Sequence, residues 1–569
     1  MAKRSKDMEV FQRRMKIAMA QVNATVGDLE GNVKKIEDFI AMAKKKNVDL
    51  VAFPELAVTG YPPQDLILDR EFVRRGKELL DSLIDRNTDM AAIVGFVDLQ
   101  GERLHNSASV FIGSKRVGVV NKALLPTYDV FDEDRYFEPA REEDIKPIRV
   151  NLGGQDLNLG VQICEDLWDN EYKLKATDTL VRRGADVIVN ISASPFYAGK
   201  RSERIAQLNK KSGASGVPIF YVNLVGGQDE LVFDGQSLAT DRYGNLTAIG
   251  RQFEEDLVVV EVDSKEKIAD GIEPPACSRE KEILGALVLG VRDYYRKTGF
   301  RRAIVGLSGG IDSSLSACIA VEALGNENVI GVSMPSMFSS DHSKADAEEL
   351  AHNLGICLIR FGIQPVLDSY RETLREPLEE VRRHFGTSME QDDPVADENI
   401  QPRVRGNCLM DISNRLRGLG IMVLNTGNKT ELALGYCTLY GDMAGGIGAL
   451  GDVSKLDVYK IAQYFNEMKG RQIIPTSVFV KKPSPELRKQ QVDPFDFNIV
   501  SPLVDEIIEH RRSKEDLISA GYPEDVVEDT FNRIRRAEFK RRQAAPCIKI
   551  TPKSFGIGWK MPIVNGYTA

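Results

Sequence analysis

The sequence predicts an α/β protein built as two unlike halves, and three observations carry that reading. Residues 15–262 contain many short apolar runs with few helical patterns between them, which points to two sheets packed face to face with helices outside. From residue 303 onward, short apolar runs alternate with longer helical patterns, as in a doubly wound parallel sheet. Between the halves lies SKEKIADGIEPPA (264–276), polar and interrupted by Pro274 and Pro275, which reads as a connector.

The bulk numbers agree with this division. A chain of 569 residues is long enough for several domains. Hydrophobic residues make up 42% and charged residues 28%, the balance of a soluble globular protein. The formal net charge of −9 argues against a general nucleic-acid or membrane-surface role. Cysteines stand singly at 164, 277, 318, 357, 408, 437 and 547, with no CxxC, so neither a disulfide framework nor a zinc ribbon is expected and a reducing cytoplasm fits. No apolar run is long enough for a bilayer. The start, MAKRSKDMEVFQRR, lacks the apolar core of a signal peptide and reads as a basic extension over 1–14.

In the first half, strands are expected at 16–22, 50–54, 91–97, 108–112, 117–120, 157–163, 187–191, 219–222 and 257–262. A helix over 32–45 carries Val33, Ile36, Ile40 and Ala43 on one face. Three strand ends carry chemistry: Glu55 in FPE, Lys122 in NKALLP and Cys164 in CEDLW. A carboxylate, an ammonium and a thiol form a complete set for covalent amide hydrolysis. Cys164 attacks the amide carbon and Glu55 takes the thiol proton, later activating water. Lys122 stabilises the oxyanion and favours the thiolate, since a free thiol of pKa about 8.5 supplies little nucleophile at neutral pH. Singly, each residue reads more simply as a buried small hydrophobe or a solvated charge.

The order and contexts of the three residues resemble the nitrilase, or carbon–nitrogen hydrolase, family. The resemblance covers about 15–262 and implies a four-layer α-β-β-α sandwich with a Glu-Lys-Cys triad. It also implies a supporting carboxylate after the lysine, for which Glu133 in FDEDRYF is the candidate and Asp132 and Asp134 are rivals. NISASPFYAGK (190–200) resembles the segment that holds glutamine in glutaminase members, with Ser194 and Lys200 at matching places and Tyr128 as the third contact.

Beyond the connector, a helix over 280–298 has Ile283, Leu284, Leu287, Val288 and Val291 at helical spacing. It leads into AIVGLSGGIDSS (303–314), read as a strand over 303–307, a turn over 308–314 and a helix over 315–324. A Gly-rich turn between strand and helix aims backbone N–H groups and the positive helix end at one spot, which suits phosphate. Asp312 is out of place beside phosphate unless a cation sits there, and Mg²⁺ would explain it. No Gly-Lys-Ser/Thr follows, so this is not a Walker A loop. It resembles the SGG-x-D-S loop of ATPases that release pyrophosphate, which implies ATP contacts from Gly306, Leu307, Ser308, Gly309, Gly310, Ile311, Asp312 and Ser313.

Strands at 329–334, 358–361 and 422–424, with a helix over 345–354, complete the sheet pattern. Ligands of such sheets bind at strand carboxyl ends. There NTGNKTE (425–431) offers Thr426 to ATP and Glu431 to a cation, so Asp312 and Glu431 form a candidate Mg²⁺ site.

ENIQPRVRG (398–406), NTGNKTELALGYCTLYGD (425–442) and MPSMFSSDHSKADAEELAHNLGI (334–356) resemble NAD synthetase. With the first half in front, 15–569 resembles the glutamine-dependent NAD synthetase family. That resemblance implies ATP contacts from Thr426, Lys455 and Ser484, and deamido-NAD contacts from Asn399, Glu431 and Lys540. Lys540 also lies in a plain basic run, 535–542. Pro402, Asn425 and Phe338 depart from the usual Ala, Gly and Tyr. GIGALG (446–451) matches GxGxxG but follows no apolar strand, so it reads as a mobile Gly-rich loop.

The expected boundaries are 1–14 for the extension, 15–263 for the amidohydrolase, 264–276 for the linker and 277–569 for the synthetase. The expected reaction is ATP-dependent amidation of deamido-NAD, with ammonia from L-glutamine reaching the second site by a shielded passage. The alternative is an amidotransferase acting on another carboxylate acceptor. The expected partners are small molecules alone, with no nucleic acid or membrane, in a cytoplasmic homo-oligomer.

Overall fold

The computed structural model describes residues 15–262, 271–386, 393–489 and 491–567. The basic extension, residue 263 and residues 264–270 of the expected linker lie outside the described residues. The chain forms two compact units. The first runs to Ala276, except for two short pieces, Phe196–Ala198 and Gly227–Val232, which belong to the second unit with everything from Cys277 on.

The first unit is built on β1 (Met15–Gln21), β2 (Leu50–Ala52), β3 (Ala91–Gln100), β4 (Arg103–Ile112), β5 (Lys115–Asn121), β6 (Ile148–Leu152), β7 (Gln155–Ile163), β8 (Val187–Ser192) and β9 (Ile219–Asn223). A hairpin of β10 (Val225–Gln228) and β11 (Leu231–Asp234) follows, then β12 (Leu238–Thr240), β13 (Leu246–Ile249) and β14 (Asp256–Val262). Two sheets of six result, ordered β14-β1-β2-β3-β4-β5 and β13-β12-β9-β8-β7-β6.

Side-chain alternation along each strand sorts residues between the faces. Ile17, Met19, Ile93 and Val110 of one sheet meet Val161, Ile163, Val189 and Val222 of the other in the central core. Ala18, Ala20, Val51 and Val94 point outward, where α1 (Leu29–Lys45) and α2 (Arg70–Arg86) cover them with Ile36, Ile40, Leu80 and Leu83. On the other sheet, Ile188 and Ile219 are covered by Leu180 of α3 (Ala176–Arg182) and Leu208 of α4 (Lys200–Ser215). Strands buried on both faces read as unbroken apolar runs, which is why the sequence showed them so clearly. The result is the expected α-β-β-α sandwich.

The second unit opens with α5 (Arg279–Lys297), whose N-cap Ser278 accepts from Lys281 N. Its sheet comprises β15 (Arg302–Gly306), β16 (Val329–Ser333), β17 (Cys357–Arg360), β18 (Ile421–Asn425) and β19 (Ile447–Gly448), all parallel, in the order β17-β16-β15-β18-β19. Strand order reverses between β15 and β18, so their carboxyl ends flank a crevice where such sheets bind ligands. Around the sheet run α6 (Ile311–Leu324), α7 (Asp341–Leu354), α8 (Gln364–Phe385), α9 (Pro394–Arg415), α10 (Lys429–Leu434), α11 (Lys455–Lys469), α12 (Thr476–Val480) and α13 (Phe497–Ile508). No helix among the described residues is long and apolar enough to cross a membrane.

Two expectations are corrected here. Helix α6 begins at Ile311, four residues earlier than expected, so Asp312 stands in the first helical turn and not in a loop. Ser308, Ser313 and Ser314 close the start of the helix by hydroxyl bonds to one another and to the Gly310 backbone, which binary patterning does not reveal. The 446–451 stretch, read as a loop, is in part a strand. Ile447 and Gly448 form the edge strand β19, and Ile447, Ala449 and Leu450 are buried. A two-residue strand is too short to show a period.

Candidate active sites

In the first unit Glu55, Lys122, Glu133 and Cys164 converge. Glu55 follows β2 and is fully buried. Its Oε1 accepts from Lys122 Nζ at 2.7 Å and Asn106 Nδ2 at 2.8 Å, and its Oε2 accepts from Ala193 N at 2.9 Å. Lys122, just past β5, also donates to both Glu133 oxygens at 2.8 and 2.7 Å. Its ammonium thus sits between two carboxylates with no exposed side-chain surface. Glu133 takes the supporting place, and Tyr61 Oη donates to it at 2.9 Å. Burial alone would lower the Lys122 ammonium, but Glu133 and Glu55 outweigh it and hold it well above the usual lysine value.

Cys164 directly follows β7 at a φ of +46°, a left-handed conformation unusual for a residue with a side chain. Asp166 fixes this turn: Oδ2 accepts from Ile163 N at 3.0 Å, while Oδ1 accepts from Ala123 N at 3.0 Å and Leu124 N at 2.9 Å. One buried carboxylate therefore ties the cysteine turn to the lysine segment. Sequence reading passed over Asp166, although CEDLW displays it two residues after the cysteine. Lys122 acts on the thiol in the expected direction, but it does not act alone. Burial and then Glu55 push the thiol well above its ordinary value, and Lys122 offsets this only in part.

Of the three expected glutamine contacts, Ser194 is buried and its carbonyl oxygen accepts from Arg204 at 2.9 Å. Lys200, at the start of α4, places Nζ 4.2 Å from the Trp168 ring centroid and 3.2 Å from Glu203. Burial lowers its ammonium below the ordinary lysine value. Tyr128 Oη donates to Glu165, at 3.2 and 3.1 Å from its two oxygens. Glu165, next to the nucleophile and buried, is a second residue that sequence reading missed.

In the second unit, a cavity of about 330 Å³ opens at the β15 and β18 ends. Gly306, Leu307, Ser308, Gly310, Ile311, Asp312 and Ser313 line it on one side, and Thr426, Glu431, Lys455 and Ser484 on others. Gly309 takes a φ of +78°, and a Cβ there would collide with the Ser343 carbonyl, so only glycine fits. Asp312 Oδ1 accepts from Asn428 Nδ2 at 2.9 Å, and Lys455 Nζ donates to Oδ2. Lys455 reaches Glu431 Oε1 at 3.5 Å. Asn428 and Glu431 cap α10 reciprocally, which sets Glu431 at the head of that helix. Burial raises the Glu431 carboxyl, Lys455 opposes this and Asp312 adds to it.

Asn399 and Lys540 stand away from the cavity lining. Asn399 Oδ1 accepts from Thr438 Oγ1 at 3.0 Å, and Lys540 donates to the Gly435 and Cys437 carbonyls, each at 2.7 Å. Both therefore brace the 435–438 segment, from which Tyr436 and Cys437 do face the cavity. The departures settle into the fold. Pro402 is buried within α9, and Asn425 Nδ2 binds the Asp442 and Ala444 carbonyls at 2.6 and 3.2 Å. Phe338 N donates to Ser336 Oγ at 3.3 Å, and its ring is not part of the lining.

A sheet sandwich with a buried Glu-Lys-Cys centre and a parallel-sheet unit with a phosphate-type turn define a two-site amide-transferring enzyme class. The comparisons with known proteins specify it. The carbon–nitrogen hydrolase family model matches residues 16–269 and the NAD synthase model residues 283–544. The glutamine-dependent NAD(+) synthetase of Thermotoga maritima is 40% identical, over 98% of this chain and 99% of its own. That of Synechocystis sp. is 41% identical, over 97% and 99%. A structure of glutamine-dependent NAD+ synthetase from Acinetobacter baumannii, in complex with ADP, superposes with a TM-score of 0.75 at 34% identity, covering 98% of this chain and 100% of that one. The chain belongs to the glutamine-dependent NAD(+) synthetase family.

Proposed function

We propose that this chain makes NAD by amidating deamido-NAD at the expense of ATP, with ammonia released from L-glutamine. The observation that carries the reading is the presence, in one chain, of two chemically complete and separate sites. Residues 15–263 form the amidohydrolase, 264–276 the linker and 277–569 the synthetase, with 1–14 an extension.

At the first site Tyr128, Ser194 and Lys200 hold glutamine. The Cys164 thiol gives its proton to Glu55 as sulfur attacks the amide carbon, while the Lys122 charge, held by Glu133, steadies the oxyanion. The amide carbon–nitrogen bond breaks, ammonia leaves with that proton, and water activated by Glu55 hydrolyses the thioester to glutamate. At the second site ATP lies along Gly306–Ser313 with Thr426, Lys455 and Ser484. Deamido-NAD lies toward Glu431 and the 435–438 segment that Asn399 and Lys540 support. The nicotinate carboxylate attacks the α-phosphorus, pyrophosphate leaves, and ammonia then displaces AMP from the acyl carbon.

The Asp312 and Glu431 carboxylates, both already facing one cation in Lys455, suit Mg²⁺, which takes one or two carboxylates alongside phosphates. When bound it would neutralise phosphate charge.

The same reading makes the protein cytoplasmic, without nucleic-acid or membrane partners. Its net charge of −9 and seven free cysteines support this. It also makes it a homo-oligomer. Helix α8 exposes Val366, Tyr370, Leu374, Leu378, Val381 and Phe385 along one arc, burying only Leu367. Sedimentation should show a multimer that Leu374→Glu weakens, and a monomer at all concentrations refutes this.

The decisive assay follows NAD made by Cys164→Ala with glutamine or with ammonium. Glutamine-driven synthesis should vanish and ammonium-driven synthesis persist, rising with pH as unprotonated ammonia grows. Retained glutamine-driven synthesis sinks the nucleophile assignment. NAD formation absent in the wild type, with another acceptor amidated instead, favours the alternative amidotransferase.

A further inference from the structure

Among the groups around the cavity, Lys481 has a task that no sequence motif announces. It follows α12 directly, and its ammonium donates to three acceptors. These are the Gly309 carbonyl oxygen, the Asp346 carboxylate at 2.9 Å and Ser343 Oγ at 3.3 Å. An ammonium has three N–H donors, so this set occupies all of them. Asp346, on α7, is 4% exposed and also accepts from Ser477 Oγ, so the lysine is held at a fixed point and does not reach loosely across the cavity.

The bond to Gly309 has a directional consequence. In a trans peptide the C=O and the following N–H point to opposite sides of the chain. Drawing the Gly309 oxygen toward Lys481 therefore turns the Gly310 N–H the other way. On that side Ser308 Oγ accepts it at 3.2 Å, and both Ser308 and Gly310 line the cavity. The left-handed φ of Gly309, +78°, leaves this peptide without the side-chain restraint that would otherwise fix it. Successive N–H groups turned inward in this way make an anion cradle.

We propose that Lys481, anchored by Asp346, is a positioning residue that holds the Gly309–Gly310 peptide with its N–H facing the phosphates. The proposal rests on reading this cavity as the ATP site. Lys481 itself lines the cavity, and the proposal assigns its three hydrogen bonds to holding the turn.

Calorimetric titration of the full-length protein with inorganic pyrophosphate and with ATP, both with Mg²⁺, tests it. Lys481→Met should weaken both by about tenfold, the scale of a lost charge-assisted hydrogen bond. It should raise the KM for ATP similarly and leave the KM for deamido-NAD within about twofold, on the same argument. Lys481→Arg, which retains a donor for Gly309, should recover most of the loss. Asp346→Asn should weaken binding in the same direction, because it releases the lysine from its anchor. If the wild type binds neither pyrophosphate nor ATP, the site reading itself fails. If the wild type binds and Lys481→Met binds equally, the positioning role fails while the site stands. Tighter binding by Asp346→Asn would overturn it too, since a freed ammonium that helps must touch phosphate directly. Should Lys481→Met not fold, the Arg and Asp346 variants decide the matter on the same criteria.

Discussion

Each unit places one lysine between two acidic side chains, and the two arrangements behave differently because of burial. Lys122 lies between Glu55 and Glu133 at 2.7 Å from each, with side-chain exposures of 0%, 0% and 6%. Lys455 lies between Asp312 and Glu431, close to the first and 3.5 Å from the second, with the two acids 17% and 24% exposed. The charge count is the same, one positive and two negative. In the first trio the carboxylate oxygens that meet the lysine are held by short bonds in a dry interior, so the charges are fixed in place. In the second the acids face a cavity and one bond is long, so a bound cation and phosphates can take over the lysine's partners. A fixed cluster suits proton transfer within the protein. An exchangeable one suits a site that binds and releases a charged substrate in each turnover.

The largest expected effect breaks the exchangeable trio. Asp312→Asn and Glu431→Gln each remove a charge needed beside the phosphates, and synthesis from either nitrogen source should fall by about 10²–10³, as for loss of a preorganised electrostatic group. Glutamate release from glutamine should continue. Near-normal synthesis in either variant at ordinary Mg²⁺ would mean that these acids do not serve ATP.

The next sharpens the contrast in burial. Lys122→Met leaves Glu55 and Glu133 uncompensated in the interior, a loss of about 3–5 kcal/mol for a broken buried pair. Lys455→Met leaves its acids beside solvent and should cost less than half as much in stability, although it impairs ATP use. Denaturant unfolding of the two variants, followed by a probe in each unit, gives the comparison. Equal destabilisation would show that the two trios are equally dry.

A smaller effect is expected at the rim of the first site. Lys200→Ala removes one ammonium that is held over Trp168 and beside Glu203. The KM for glutamine should rise by roughly tenfold, on the scale of a lost charge-assisted contact, with ammonium-driven synthesis unchanged. Unaltered glutamine kinetics would place the glutamine pocket elsewhere.

What the sequence disclosed follows from what each feature depends on. The sandwich was legible because strands buried on both faces make long apolar runs. The convergence of Glu55, Lys122 and Cys164 was legible because each stands just past a strand end in a distinctive local string. Chemistry that depends on distant pairing was hidden. Asp166 matters because it reaches Ala123 and Leu124, some forty positions away, and nothing in CEDLW separates that role from a surface acid. Lys481 sits 172 positions from Gly309 in a run of two lysines that reads as solvated. Asn399 and Lys540 were found by resemblance, yet their bonds go to the backbone and hydroxyl of one segment, a detail that a motif cannot carry. The early start of α6 depended on serine hydroxyls, and β19 on a pairing too short for any period.

The smallest effect concerns pH and tests whether the Lys122 trio is as dry as its geometry implies. Burial raises the Glu133 carboxyl to about 7; Lys122 opposes the shift and Glu55 adds to it. An acid whose folded value lies above its unfolded value, about 4.3, binds its proton more tightly in the folded chain. Its contribution to stability is therefore fully present below the unfolded value and is lost as pH climbs toward the folded one. Between pH 5 and 7 the wild-type melting temperature should carry a downward component that Glu133→Gln, neutral throughout, lacks. Other groups titrate in both proteins, so the difference between the two curves is the quantity to follow. It should shift by a few degrees across that window, at about 2–4 °C per kcal/mol for a unit of this size. Parallel curves would mean that Glu133 is charged at both ends of the range, held so by Lys122 and Tyr61. The first trio would then resemble the second more closely than its burial suggests.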